Sequence, residues 1–132
     1  MSEESSDYID HRTFFRRFIN KGIVRVLVTK HAINRLRERA TREYPKANLE
    51  LLLDVIRNII RDGYYRLFTD RIVIWTKRYV LICEIVDEYT IIVKTVISKV
   101  VLRDEFKRLL TKGRRVFWKK IHVECTHNHL RG

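Results

Sequence analysis

His31, Arg35, Glu38 and Arg39 are spaced at i, i+4, i+7 and i+8 within His-Ala-Ile-Asn-Arg-Leu-Arg-Glu-Arg, residues 31–39. On a helix turning about 100° per residue, these four share one face, while Ala32, Ile33, Leu36 and Ala40 lie together on the other. The polar face offers an imidazole, two guanidinium groups and a carboxylate. An imidazole can act as general base or general acid, and guanidinium groups suit bidentate contacts to phosphate and stabilise a developing oxyanion. The plainer alternative makes His31 a helix-start residue bonded to a neighbouring loop. Arg35, Glu38 and Arg39 then form salt bridges at the surface or between helix and sheet.

Two further groupings could carry chemistry. The C-terminal run Ile-His-Val-Glu-Cys-Thr-His-Asn-His places Cys125, His127 and His129 on one face if it is a strand, with His122 on the other. Those three could hold zinc with a fourth ligand from Cys83, Glu124 or another subunit. Their spacing matches no zinc-finger pattern, so a polar tail is the favoured reading and no cofactor is required. The second grouping interleaves rings with cations. Tyr64, Tyr65, Phe68, Trp75, Tyr79, Phe117 and Trp118 stand near Arg66, Arg71, Lys77, Arg78, Arg114, Arg115, Lys119 and Lys120. Single-stranded nucleic acid favours such surfaces, each stacked base contributing about 1–3 kcal/mol. Trp118, within Arg-Arg-Val-Phe-Trp-Lys-Lys, is the ring expected to be exposed. The competing reading places alternate strand aromatics in the core. Cys83, in an apolar run, reads as a buried inert thiol. No glycine pattern forms a phosphate-cradling loop, and no pair of carboxylates suits acid–base catalysis.

The charge balance supports a polyanion partner. The 132 residues hold 28 Lys and Arg against 16 Asp and Glu, a net charge of +12. Glu3, Glu4, Asp7 and Asp10 fall in the first ten residues, which hold no base, so residues 11–132 carry +16. RNA or DNA is the expected partner, with an anionic membrane surface the lesser candidate. The sequence has no Gln and is 33% charged, as in many proteins that work hot, so a solvated thermophile surface is the alternative. An acidic start opposes a signal peptide, no apolar run approaches the roughly 18 residues of a membrane span, and two distant cysteines make no disulfide framework. A cytoplasmic chain follows.

The elements that must position these groups read as one domain over 1–132, with 1–22 an acidic leader and N-terminal helix, 23–98 a core and 99–132 an extension. Phe14, Phe15, Phe18 and Ile19 form the leader's apolar stripe, and Gly22 stops it. Ile23–Thr29 is a β-branched strand, followed by a helix over His31–Thr41. Pro45 opens the next helix, whose Leu49, Leu52, Leu53, Ile56, Ile59 and Ile60 recur at helical spacing up to Asp62-Gly63. Four strands follow at Tyr64–Phe68, Arg71–Lys77, Tyr79–Val86 and Thr90–Ser98, joined by short turns as an antiparallel meander. A helix bearing Leu102, Phe106, Leu109 and Leu110 and a last strand over Arg114–Val123 complete an α+β plan. Its helices are expected on one face of a four- to five-stranded antiparallel sheet.

The nonapeptide 31–39 resembles the H-A-x-x-R-x-x-E-R signature of a family of small toxin-like domains, close in architecture to BrnT and the RelE/ParE toxins. The resemblance covers residues 23–98 and includes a closing Val-Lys-Thr-Val-Ile run at Val93–Ile97. It implies a RelE-like fold that binds RNA and, in some members, cuts it without a metal. His31, Arg35, Arg39 and Glu38 would then be the catalytic set, with an antitoxin-like protein as a partner; exposed strand edges and the apolar N-terminal helix separately allow packing against a second copy. The rival reading is a non-enzymatic DNA-binding or interaction protein of a thermophilic virus or mobile element. Under either reading, affinity for a single strand falls steeply with salt. Six phosphate contacts predict a log–log slope of about −4, measured by titration across salt concentrations; a flat dependence would refute the electrostatic basis.

Overall fold

Val24, Val26 and Val28 alternate with Ile23, Arg25 and Leu27 and form strand β1 (Ile23–Val28) in the computed structural model, which describes residues 20–40, 47–68, 71–99, 102–110 and 113–126. The expected N-terminal helix, like Pro45, His127 and His129, lies outside the described residues. The three valines are sealed in the core. Thr29 ends β1 and caps helix α1 (Lys30–Arg39), its Oγ1 accepting the Ala32 N–H at 3.0 Å. Ala32, Ile33 and Leu36 form the buried stripe of α1. Helix α2 (Leu49–Asp62) starts after Asn48, whose Oδ1 accepts the Leu51 N–H at 2.9 Å, and it buries Leu52, Val55, Ile56, Ile59 and Ile60.

After Gly63 the period changes to two. Strands β2 (Tyr64–Leu67), β3 (Arg71–Trp75), β4 (Tyr79–Asp87) and β5 (Thr90–Ser98) pair antiparallel in chain order, as the hairpin-length turns require. Helix α3 (Asp104–Leu110), the two-residue strand β6 (Arg114–Arg115) and strand β7 (Lys120–Cys125) follow.

The assembled sheet corrects the expected plan. It has seven strands in the order β6-β2-β3-β4-β5-β1-β7, and β1 runs parallel to both its neighbours. The sheet is therefore mixed. The helices also occupy both faces. α1 and α2 cover the face bearing Ile72, Ile74, Leu81 and Cys83, while α3 brings Leu110 and Phe106 against Val73, Trp75, Val80 and Ile82 on the other. The physical reason is that a period of two marks a strand without naming its neighbour. β1 meets β5 only through a crossover of more than sixty residues, a pairing that no local signal encodes. The last strand is likewise two strands, because residues 116–119 leave the ladder between β6 and β7.

That interruption curls the sheet. β6 and β7 are its opposite edges, so if flat they would lie roughly 29 Å apart at about 4.8 Å per strand. Only residues 116–119 join them, and the chain from Arg115 to Lys120 reaches at most about 18 Å. The two edges must approach each other, and α2 lies in the resulting concavity, touching both β3 and β7.

Thr29 holds β1, α1 and β5 together. Besides capping α1, its buried hydroxyl lies 3.2 Å from the Val93 carbonyl and 3.3 Å from that of Lys94, to which it donates. Thr29→Val keeps the shape and removes these bonds. The expected loss is about 1–3 kcal/mol, read as a lower denaturation midpoint at unchanged slope; a change below about 0.5 kcal/mol would deny the hydroxyl this role.

Candidate nucleic-acid interface

At one end of the sheet the C-terminal end of α2, the start of β2, the β3–β4 turn and the residue after β5 come together. They surround a cleft of about 580 Å³ lined by Asn58, Asp62, Tyr64, Trp75, Lys77, Arg78, Tyr79 and Lys99, among others. A smaller hollow of about 290 Å³ shares Tyr64, Trp75 and Lys99 and adds Lys107, Leu110 and Gly113. The groove thus runs over the sheet end from α2 to α3.

Strand register builds its floor. Tyr64 lies opposite Trp75 on β3 and opposite Arg115 on β6, so three side chains line up across three strands. The rings of Tyr64 and Trp75 are stacked, 6.1 Å between centroids and 24° between planes, and the Arg115 guanidinium sits 5.5 Å from the Tyr64 ring centroid. Trp75 is only 4% exposed, whereas Tyr64 is 44% exposed. The indole packs so closely on Gly113 that a Cβ at that position would collide with it. Trp75 is the support, and Tyr64 is the surface it holds up.

The cations come from turns and element ends. Thr76 N–H donates to the Tyr79 carbonyl at 3.0 Å, closing a turn whose two tip residues are Lys77 and Arg78. The Lys99 N–H donates to the Arg78 carbonyl at 2.8 Å, which places Lys99 beside that tip. Asp62 is the only carboxylate among the described lining residues. It accepts from Arg61 at 3.0 and 3.1 Å, and this bonding holds its carboxyl below the ordinary range, with the Arg115 charge adding and slight burial opposing. Lys77, Arg78 and Lys99 thus line the cleft with Asp62, Lys107 lines the adjoining hollow, and Arg115 lies over the Tyr64 ring they share.

The nine residues expected to bind nucleic acid separate into four places. Lys77, Arg78 and Arg115 are at the groove. Arg114, Lys119 and Lys120 are exposed just beyond Arg115. Arg66 and Arg71 lie toward the far end of the meander, Arg66 over the Phe68 ring at 5.5 Å and Arg71 opposite Glu84. Trp118 corrects the expectation of an exposed ring. It is half-buried against the main core, and its neighbour Phe117 is 90% exposed instead. Sequence spacing alone does not single out Lys99 or Lys107. The meander register, which sets Ser98 opposite Tyr79, was the available signal for Lys99.

The polar face of α1 takes the salt-bridged form. Arg35 donates to Glu38 Oε1 at 3.2 Å, and Arg39 lies 3.7 Å from the same oxygen. His31 is exposed at the first turn, and Arg39 Nε is buried without a hydrogen-bond partner. No α1 residue lines the groove. Cys125 is half-buried at the end of β7, and among the described residues no three His, Cys, Asp or Glu side chains converge as a metal site. Cys83 is fully buried, and the apolar surroundings push its thiol far upward, so it stays protonated and inert. Among the described residues, no helix is long and apolar enough to cross a membrane.

Comparisons with protein families, curated proteins and solved structures found no match to this chain.

The unequal burial of the stacked rings predicts unequal costs. Trp75→Ala should lose about 3–5 kcal/mol on denaturant unfolding, whereas Tyr64→Ala should lose no more than about 1.5 kcal/mol. Equal losses would mean that Tyr64 is core and not a presented surface.

Proposed function

We propose that this protein binds single-stranded nucleic acid in the groove at the sheet end, acting in the cytoplasm, where Cys83 and Cys125 stay free thiols. The observation that carries the reading is the Trp75–Tyr64–Arg115 alignment ringed by Lys77, Arg78, Lys99 and Lys107. A half-exposed ring on a rigid support provides a platform for a base, and the cations flanking it suit the phosphates on either side. A duplex hides its base faces, so the platform favours an unpaired strand. RNA is the expected strand because residues 31–39 resemble the signature of RNA-directed toxin-like domains.

Among the described residues, the lining holds no His, no Cys and no carboxylate besides Asp62, so this is a reading of binding without cleavage in the groove. Labelled single-stranded RNA, single-stranded DNA and duplex DNA, each with and without EDTA, separate a mobility shift from strand scission. Tyr64→Ala should weaken binding of the single strand about tenfold, the lower part of the stacking range. Lys99→Glu should weaken it and also make the salt slope shallower by about 0.7 for each phosphate left without its cation. Asp62→Asn removes a negative charge from the groove and should tighten binding about threefold at low salt, as a unit charge roughly 7 Å away acts through water. His31→Ala should bind as the parent does. Unchanged affinity in both Tyr64→Ala and Lys99→Glu would remove the groove from function.

A further inference from the structure

Residues 114–120 read Arg-Arg-Val-Phe-Trp-Lys-Lys, and the fold treats the three apolar members differently. Val116 and Trp118 pack inward on the main core, so Phe117 between them is turned outward and is 90% exposed. The segment is firmly held. The Gly22 carbonyl accepts both the Lys119 N–H at 2.7 Å and the Lys120 N–H at 3.0 Å, and β6 and β7 pin the two ends. Gly22 has φ of +69°, and a Cβ there would come within 2.8 Å of the Phe117 carbonyl oxygen, so this junction requires glycine. A phenyl ring is therefore presented to solvent from a fixed backbone.

Its surroundings in the chain are basic. Arg114, Arg115, Lys119 and Lys120 are exposed on either side, and no acidic residue occurs from Gly113 to Val123. Arg115 is also the residue lying over Tyr64 in the groove. Phe117 follows it by two positions, at most about 7 Å along the chain, a distance of about two stacked bases.

We propose that Phe117 is a second stacking contact, taking an unpaired base of a strand that leaves the groove past Arg115, with Arg114, Lys119 and Lys120 on its phosphates. The inference rests on the groove reading and extends it from one base platform to a track with two. Charge complementarity selects the occupant: a ring set among four cations and continuous with an aromatic, cationic groove fits a polyanion that also carries ring faces.

The test compares full-length Phe117→Ala, Phe117→Leu and Phe117→Trp with Tyr64→Ala, binding a twelve-nucleotide and a three-nucleotide oligouridylate. Phe117→Ala and Phe117→Leu should each lose about tenfold on the long strand, while Phe117→Trp keeps the parent affinity, since stacking needs a ring and not only apolar bulk. The short strand, which the groove alone can hold, should bind the Phe117 variants and the parent alike but should bind Tyr64→Ala more weakly. Parent-like binding of the long strand by Phe117→Ala, with Tyr64→Ala weakened, overturns this inference alone. Failure of the parent to bind either strand overturns both. An effect of Phe117→Ala confined to anionic vesicle binding or to self-association in sedimentation overturns the nucleic-acid assignment in favour of that surface. Unchanged thermal midpoints, expected for so exposed a side chain, exclude misfolding as the cause.

Discussion

Residues 116–119 set the form of the whole sheet. They join strands that sit at opposite edges of a seven-stranded order, and so short a link is incompatible with a flat sheet. The curl follows from this, and so does the position of α2, whose apolar stripe fills the concavity and reaches both β3 and β7. Gly22 ties the link to the entrance of β1 through two backbone bonds to one carbonyl. β1 then enters between β5 and β7, parallel to both, and Thr29 turns the chain out of the sheet into α1. Closure, helix placement and strand insertion are thus one constraint.

The same closure creates the groove. Bringing β6 beside β2 puts Arg115 in register with Tyr64, and the tight β3–β4 turn gathers Lys77 and Arg78 at the same end as Lys99. Cations crowded this way repel one another, and the arrangement is tolerable because water screens exposed charges. Under the proposed function, a bound strand would replace that screening with direct partners, so that affinity and relief of self-repulsion would arise from the same residues.

The sequence revealed the elements more readily than their assembly. The valines of β1, the stripe of α2 and the four strands of the meander are local patterns, and they lie within a few residues of the expected bounds. Three features are not local. The parallel insertion of β1, the packing of α3 on the second face and the break between β6 and β7 depend on distant partners. The exchange of Phe117 for Trp118 has the same origin. Alternation fixes that adjacent residues point to opposite sides, but only the neighbouring core decides which side is inward, and it takes the larger indole. Lys77, Arg78 and Arg115 were legible as basic residues near rings. Lys99 belongs to their group solely through strand register.

Residue type alone also fails to separate a binding site from a solvated face. Arg35 and Arg39 on α1 have the chemistry of phosphate ligands, but Glu38 lies beside both and meets them at 3.2 and 3.7 Å. A phosphate arriving there competes with a carboxylate already in place. In the groove Asp62, the one carboxylate among the described lining residues, accepts two bonds from Arg61, which is not a lining residue. Exposed ion pairs of the first kind contribute about 0–1 kcal/mol, and with Lys30, Arg35, Arg37 and Arg39 against Glu38 the helix keeps a positive excess of its own. Cations that outnumber the acids around them, as in the groove, leave a positive field beside the Tyr64 ring. What the sheet end adds to such an excess is the Tyr64 ring, half-exposed on the Trp75 indole, which the polar face of α1 lacks.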